Sequence, residues 1–128
     1  MPISSYLNDK LLNLVLRNTT FPAITSVWLS YHTGDPGPTG TGSPLASCPR
    51  HTLTFNAAGS ATCVNSLNST VVSSASAASI TWVGLWDSSA TGTANHLWRG
   101  QMSSGGVRIL AAGSTLVLAS GILRVNLS

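Results

Sequence analysis

Only one stretch of this 128-residue chain has both the length and the periodicity of a helix. Residues 4–17 contain neither Gly nor Pro. Within them Leu7, Leu11, Leu14 and Val15 recur at helical spacing, and Leu12 and Leu16 widen the stripe. Lys10, Asn13 and Arg17 take more polar positions. Ser4 or Ser5 supplies an N-cap, because a short hydroxyl side chain accepts from an N–H that the first turn leaves unpaired. Asn18-Thr19-Thr20 ends the run, and Arg17 suits the negative end of the helix dipole. A helix of about fourteen residues is marginal alone in water, so this one needs a surface to pack on.

From Ile24 onward the pattern changes. Residues 27–32 are β-branched and aromatic and read as a strand. Residues 33–49 hold Gly34, Pro36, Gly37, Pro38, Gly40, Gly42, Pro44 and Pro49, and no regular element survives that density of breakers. A loop of this length is usually functional or disordered. Further strands are expected at 52–55, 61–64, 70–73, 80–86, 96–102, 107–110, 115–119 and 123–127, with glycine turns at Gly113 and Gly121. The Ser/Ala stretch 73–79 reads as an edge or a turn. Short strands at such spacing imply a mainly β fold, an antiparallel β-sandwich or barrel with one N-terminal α-helix. The length fits a single domain, 1–128, with helix 4–17 and a β body 24–128 that carries the loop 33–49.

Charge narrows the function. Charged residues make up 7% of the chain, against about 25% in an average globular protein. The three acids are Asp9, Asp35 and Asp87, with no Glu. Such a surface suits a protein whose neighbours cover it, since solubility otherwise leans on dense mixed charge. The six bases are dispersed, so no footprint for nucleic acid or anionic lipid emerges. The start of the chain lacks a basic n-region and an uninterrupted apolar core, so synthesis in the cytosol is expected. No apolar run approaches the ~20 residues of a membrane span.

Chemistry is poorly provided for. Three Asp and three His (His32, His51, His96) are the main titratable candidates. Metal-ligand spacings, phosphate-binding glycine loops and nucleophile elbows are all missing, so neither enzyme activity, nor a metal, nor a cofactor is expected. His32 and Asp35 lie close in sequence, but Asp35-Pro36-Gly37 is a turn signal, with Asp capping its own backbone and Pro presetting φ. Cys48 and Cys63 are expected as thiols, as befits a protein made in the cytosol. Trp28, Trp82, Trp86 and Trp98 all fall in expected strands and serve either the core or a subunit interface.

The order of motifs resembles a known family. Tyr6-Leu7-Asn8-Asp9-Lys10-Leu11-Leu12 opens the pattern, and Thr33-Gly34-Asp35-Pro36 ends a strand. Thr39-Gly40-Thr41, Val83-Gly84-Leu85-Trp86-Asp87 and Leu97-Trp98-Arg99-Gly100 follow, and glycine-started segments at 113–116 and 121–125 close it. This is similar to small tailed-bacteriophage virion proteins, often labelled tail-fibre-like, some of which are capsid cement (decoration) proteins. The resemblance implies a homotrimer on the outer capsid surface that binds the major capsid protein and stabilises the shell. The alternative is a tail-tip or tail-fibre module that binds a host receptor. Tyr6, Leu7, Lys10, Leu11 and Leu14 on the helix, Asp35 and Pro36 in the loop, and Trp86 and Trp98 are the expected capsid or subunit contacts.

Overall fold

A computed structural model describes residues 3–45, 48–67, 69–71, 78–102, 108–110 and 116–126. Helix α1 spans Ser5–Arg17. Its start is fixed by Ser4, whose side chain accepts from the Leu7 N–H. Its end is fixed by Asn18 in the left-handed region (φ 51), which lets the Thr19 N–H reach back to the Asn13 carbonyl at 3.1 Å.

Among the described residues ten short strands follow: β1 (Val27–His32), β2 (His51–Leu53), β3 (Thr62–Val64), β4 (Ser69–Val71), β5 (Ala78–Ile80), β6 (Trp82–Trp86), β7 (His96–Gln101), β8 (Arg108–Leu110), β9 (Leu116–Leu118) and β10 (Arg124–Asn126). The fold is therefore mainly β with one helix near the N-terminus, and every strand pair is antiparallel. Four strands form one sheet in the order β2-β1-β6-β7, and β3–β10, β4–β9 and β5–β8 form two-stranded ladders. Several expected boundaries shift by a residue, and two strands change more. The strand expected at 52–55 is His51–Leu53, with Phe55 making only an isolated bridge to Asn65. The run 80–86 breaks at Thr81, whose N–H turns to the His32 carbonyl while its own carbonyl accepts from Met102. Residues 72–77 and Gly113 lie outside the described residues.

Register divides the four-stranded sheet into two unlike faces, because alternate residues point to opposite sides. Leu29 pairs with Leu85, Tyr31 with Val83, and Leu85 with Trp98, which builds an apolar face. Val125 of β10 joins the same core, whose buried members include Leu7, Leu29, Leu53, Ile80 and Leu97. The other face carries Ser30, His32, Gly84, Trp86 and Arg99. The loop from Thr33 covers it by folding back along β1: Thr33 N–H binds the Ser43 carbonyl, and Leu45 N–H binds the Tyr31 carbonyl, both at 3.0 Å. The stretch expected to be a functional or disordered loop is thus, in its described residues 33–45, a flap over polar strand positions. Gly40 (φ +78) makes the closest approach, since a Cβ there would stand 2.6 Å from the His96 ring and 2.7 Å from Trp86.

Candidate subunit-contact surface

A β-bulge sets where the helix docks. β6 and β7 slip register at Leu85/Trp86: Leu85 faces Trp98, Trp86 faces His96, and Leu97 is left without a direct partner on β6. Carbonyls released there receive the helix start. Ser4 N–H donates to the Leu97 carbonyl at 2.8 Å, and Ser4 Oγ donates to the His96 carbonyl. Ile3 bridges Trp98 beside them. Leu7 is buried, and Tyr6 and Leu11 pack partly buried against the core.

Beyond Leu11 the helix loses its cover. Leu12, Leu14, Val15 and Leu16 are exposed at 58%, 40%, 75% and 76%. Leu12, Val15 and Leu16 sit at i, i+3 and i+4, so they form a second apolar stripe, turned away from the one that holds Leu7 and Leu11. In the sequence the two run together as one broad stripe. What separates them is that Leu7 and Leu11 already fill the face toward β7.

The expected contact residues divide. Leu14 is exposed, and Tyr6, Lys10 and Leu11 are half-buried, with Lys10 Nζ 5.5 Å from the Tyr6 ring centre. Asp35 is exposed, but its carboxylate accepts from the Gly37 N–H at 2.8 Å and lies 3.5 Å from Arg99 Nε. The turn expected at Asp35-Pro36-Gly37 is therefore present. Trp98 is half-buried against the core. Leu7, Pro36 and Trp86 are buried inside the chain. β7 joins the helix start to the loop, meeting Ser4 at His96 and Leu97, Ile3 at Trp98, and Asp35 at Arg99.

Under the flap lies a buried polar knot. Trp86 Nε1–H donates to Ser30 Oγ at 2.8 Å, and Ser30 Oγ lies 2.7 Å from His32 Nε2. His32 Nδ1 is 2.8 Å from the Gly42 carbonyl, which can only accept. Nδ1 therefore carries the proton, and Nε2 accepts from Ser30. His96 lies against Trp86 with ring centres 4.8 Å apart and the rings tilted by 48°, and its Nε2 has no hydrogen-bond partner among the described residues. Arg50 lies 3.6 Å above the Trp86 ring, held by the Ser88 and Ala90 carbonyls. Burial is the main cause that holds both His32 and His96 below the usual histidine range. Ser30 and His32 have the spacing of a nucleophile and its base, but the base is oriented by a backbone carbonyl and the hydroxyl is taken up by Trp86.

Cys48 and Cys63 carry thiols. Among the described residues, no group of three metal-ligating side chains is present, and no helix is long and apolar enough to cross a membrane.

No curated protein matches the chain. Residues 2–126 match the family described as "Podophage GP4 fiber I protein gp80". That match covers nearly the whole chain, so the protein belongs to the podophage GP4 fiber I protein gp80 family, a family of phage virion structural proteins.

Proposed function

We propose that the protein is a non-enzymatic virion subunit that works by packing against other subunits through the outer half of α1. The observation that carries this reading is the run of exposed aliphatic side chains at Leu12, Leu14, Val15 and Leu16 on a helix otherwise anchored to β7. Apolar area of this kind marks contact surfaces, and a charge-poor chain loses little by covering it. The family's description names a fibre protein, which favours placement in a fibre. Removal of residues 1–17 is expected to abolish incorporation into particles. Full incorporation of the truncated chain would overturn the role of the helix.

Outer-capsid decoration as a homotrimer bound to the major capsid protein is the second reading. The motif resemblance and the low charge favour it. Copy number in purified particles separates the two: a fibre subunit is present in few copies, and a decoration subunit covers the shell. Receptor binding by the tail module has less support, since the large hydrophobic side chains that stand exposed among the described residues are aliphatic, not aromatic.

A further inference from the structure

The polar knot brings together two nitrogen lone pairs that stand far apart in the sequence. His32 Nδ1 lies 2.8 Å from the Gly42 carbonyl, and His96 Nδ1 lies 3.4 Å from the Pro38 carbonyl. Both carbonyls belong to the flap and can only accept, so each Nδ1 carries the proton and each Nε2 keeps its lone pair. The two Nε2 atoms meet at one place. A Cβ at Gly84 would stand 3.2 Å from His32 Nε2 and 3.3 Å from His96 Nε2, with Ser30 Oγ at 2.8 Å. The glycine on β6 thus leaves a hollow faced by donor atoms from β1 and β7. His96 is only 4% exposed, and its Nε2 has no hydrogen-bond partner among the described residues. A buried acceptor left in that condition is costly, and a group in the hollow that takes up its lone pair removes the cost.

We propose that this hollow binds a divalent transition-metal ion such as Zn²⁺, with His32 Nε2 and His96 Nε2 as its protein ligands. Imidazole suits such ions, and a ligating histidine commonly gives its other N–H to a backbone carbonyl, which fixes ring and tautomer. Both rings do so here. Burial keeps both neutral, which is the form that ligates. His32 Nε2 is released by a small change: the Ser30 hydroxyl turns its proton from His32 to the Gly84 carbonyl, 3.3 Å away. Ligation at ~2.0–2.1 Å draws both rings inward by about 1 Å around the hollow. A half-open pocket of about 290 Å³, lined by Ser30, His32, Thr41 and Arg50 among others, reaches the knot from solvent. It gives an ion a way in and gives water the remaining coordination positions. The nearby cations are balanced, since Arg99 faces Asp35 at 3.5 Å and Arg50 feels the charge of Asp87. Bound there, the ion links β1 to β7 and, through the rings' bonds to Gly42 and Pro38, clamps the flap to the sheet. The ligands come from separate strands, so no sequence spacing announces them.

The full chain, purified and stripped with a chelator, is titrated with Zn²⁺ and with Co²⁺. One ion per chain is expected, with the thermal midpoint raised by at least about 5 °C at a hundredfold excess over Kd. Imidazole nitrogen NMR should show Nε2 of His32 and His96 shifting while His51 stays in place. Co²⁺ should give visible bands without the near-ultraviolet band of thiolate ligation. Gly84→Ala, which fills the hollow, and His96→Gln are each expected to weaken uptake by at least about tenfold. No uptake by the wild type, as a hollow that takes water alone would give, overturns the proposal. So do shifts confined to His51, a thiolate band that places the ion on Cys48 or Cys63, or variants that bind as the wild type does. If a variant fails to fold, the wild-type spectra decide by themselves.

Discussion

At the scale of single residues, the polar knot under the flap is the most tightly specified part of the molecule. A Cβ at Gly84 would lie 2.8 Å from Ser30 Oγ, 3.2 Å from His32 Nε2 and 3.3 Å from His96 Nε2. Gly84→Ala is therefore expected to destabilise the fold by about 1–3 kcal/mol through overpacking, read as a lower urea midpoint. The histidines add a pH dependence. Both are held neutral in the fold, below an unfolded value near 6.5. The unfolded chain then binds protons that the folded chain refuses. Stability is full above about pH 6.5 and falls as pH drops toward the folded pKa values. Each such histidine contributes a slope of at most about 1.4 kcal/mol per pH unit. Thermal melts between neutral and mildly acidic pH should show the fall in the wild type and a shallower one in His96→Gln. The sequence showed these histidines only as scattered single residues. Their meeting depends on β1 and β6 pairing so that Ser30 faces Gly84, which no local pattern encodes.

At the scale of elements, the decisive feature is the junction of α1 with the bulge in β7. Ser4 both caps the helix and binds the freed carbonyls of His96 and Leu97. Ser4→Ala removes the cap and the hydroxyl bond together, and about 1–2 kcal/mol of stability is expected to go with them. Amide exchange should then quicken in α1 before it quickens in β1 or β6. Equal protection in α1 would mean that the helix is held by Leu7 packing alone. The helix and its cap were readable because capping chemistry and 3.6-residue spacing are local. The bulge was not, because it is a mismatch between two strands and leaves no signature in either one.

At the scale of the whole molecule, the chain leaves apolar surface bare and has few charges with which to steer partners. Association of the purified protein should therefore hold or strengthen as salt rises to about 1 M, because exposed ion pairs are screened there and apolar contacts are not. Sedimentation at low and high salt checks this. Dissociation at high salt would point to charge as the glue. Replacing Leu12, Val15 and Leu16 together by Ser should leave the unfolding midpoint of the monomer within about 0.5 kcal/mol of wild type, as befits exposed positions. A large loss would show that the stripe serves the chain's own core.

The sequence by itself determined the class of the fold: one capped helix, then short strands cut by glycine and proline, in a chain with few charges. These are local properties of spacing, backbone freedom and composition. Only the tertiary structure decided that Leu7, Pro36 and Trp86 turn inward while Leu12, Val15 and Leu16 are left bare. The reason is physical. An apolar side chain carries no mark of which surface will cover it, and that choice is made by strand register and by where the bulge in β7 lets the helix land.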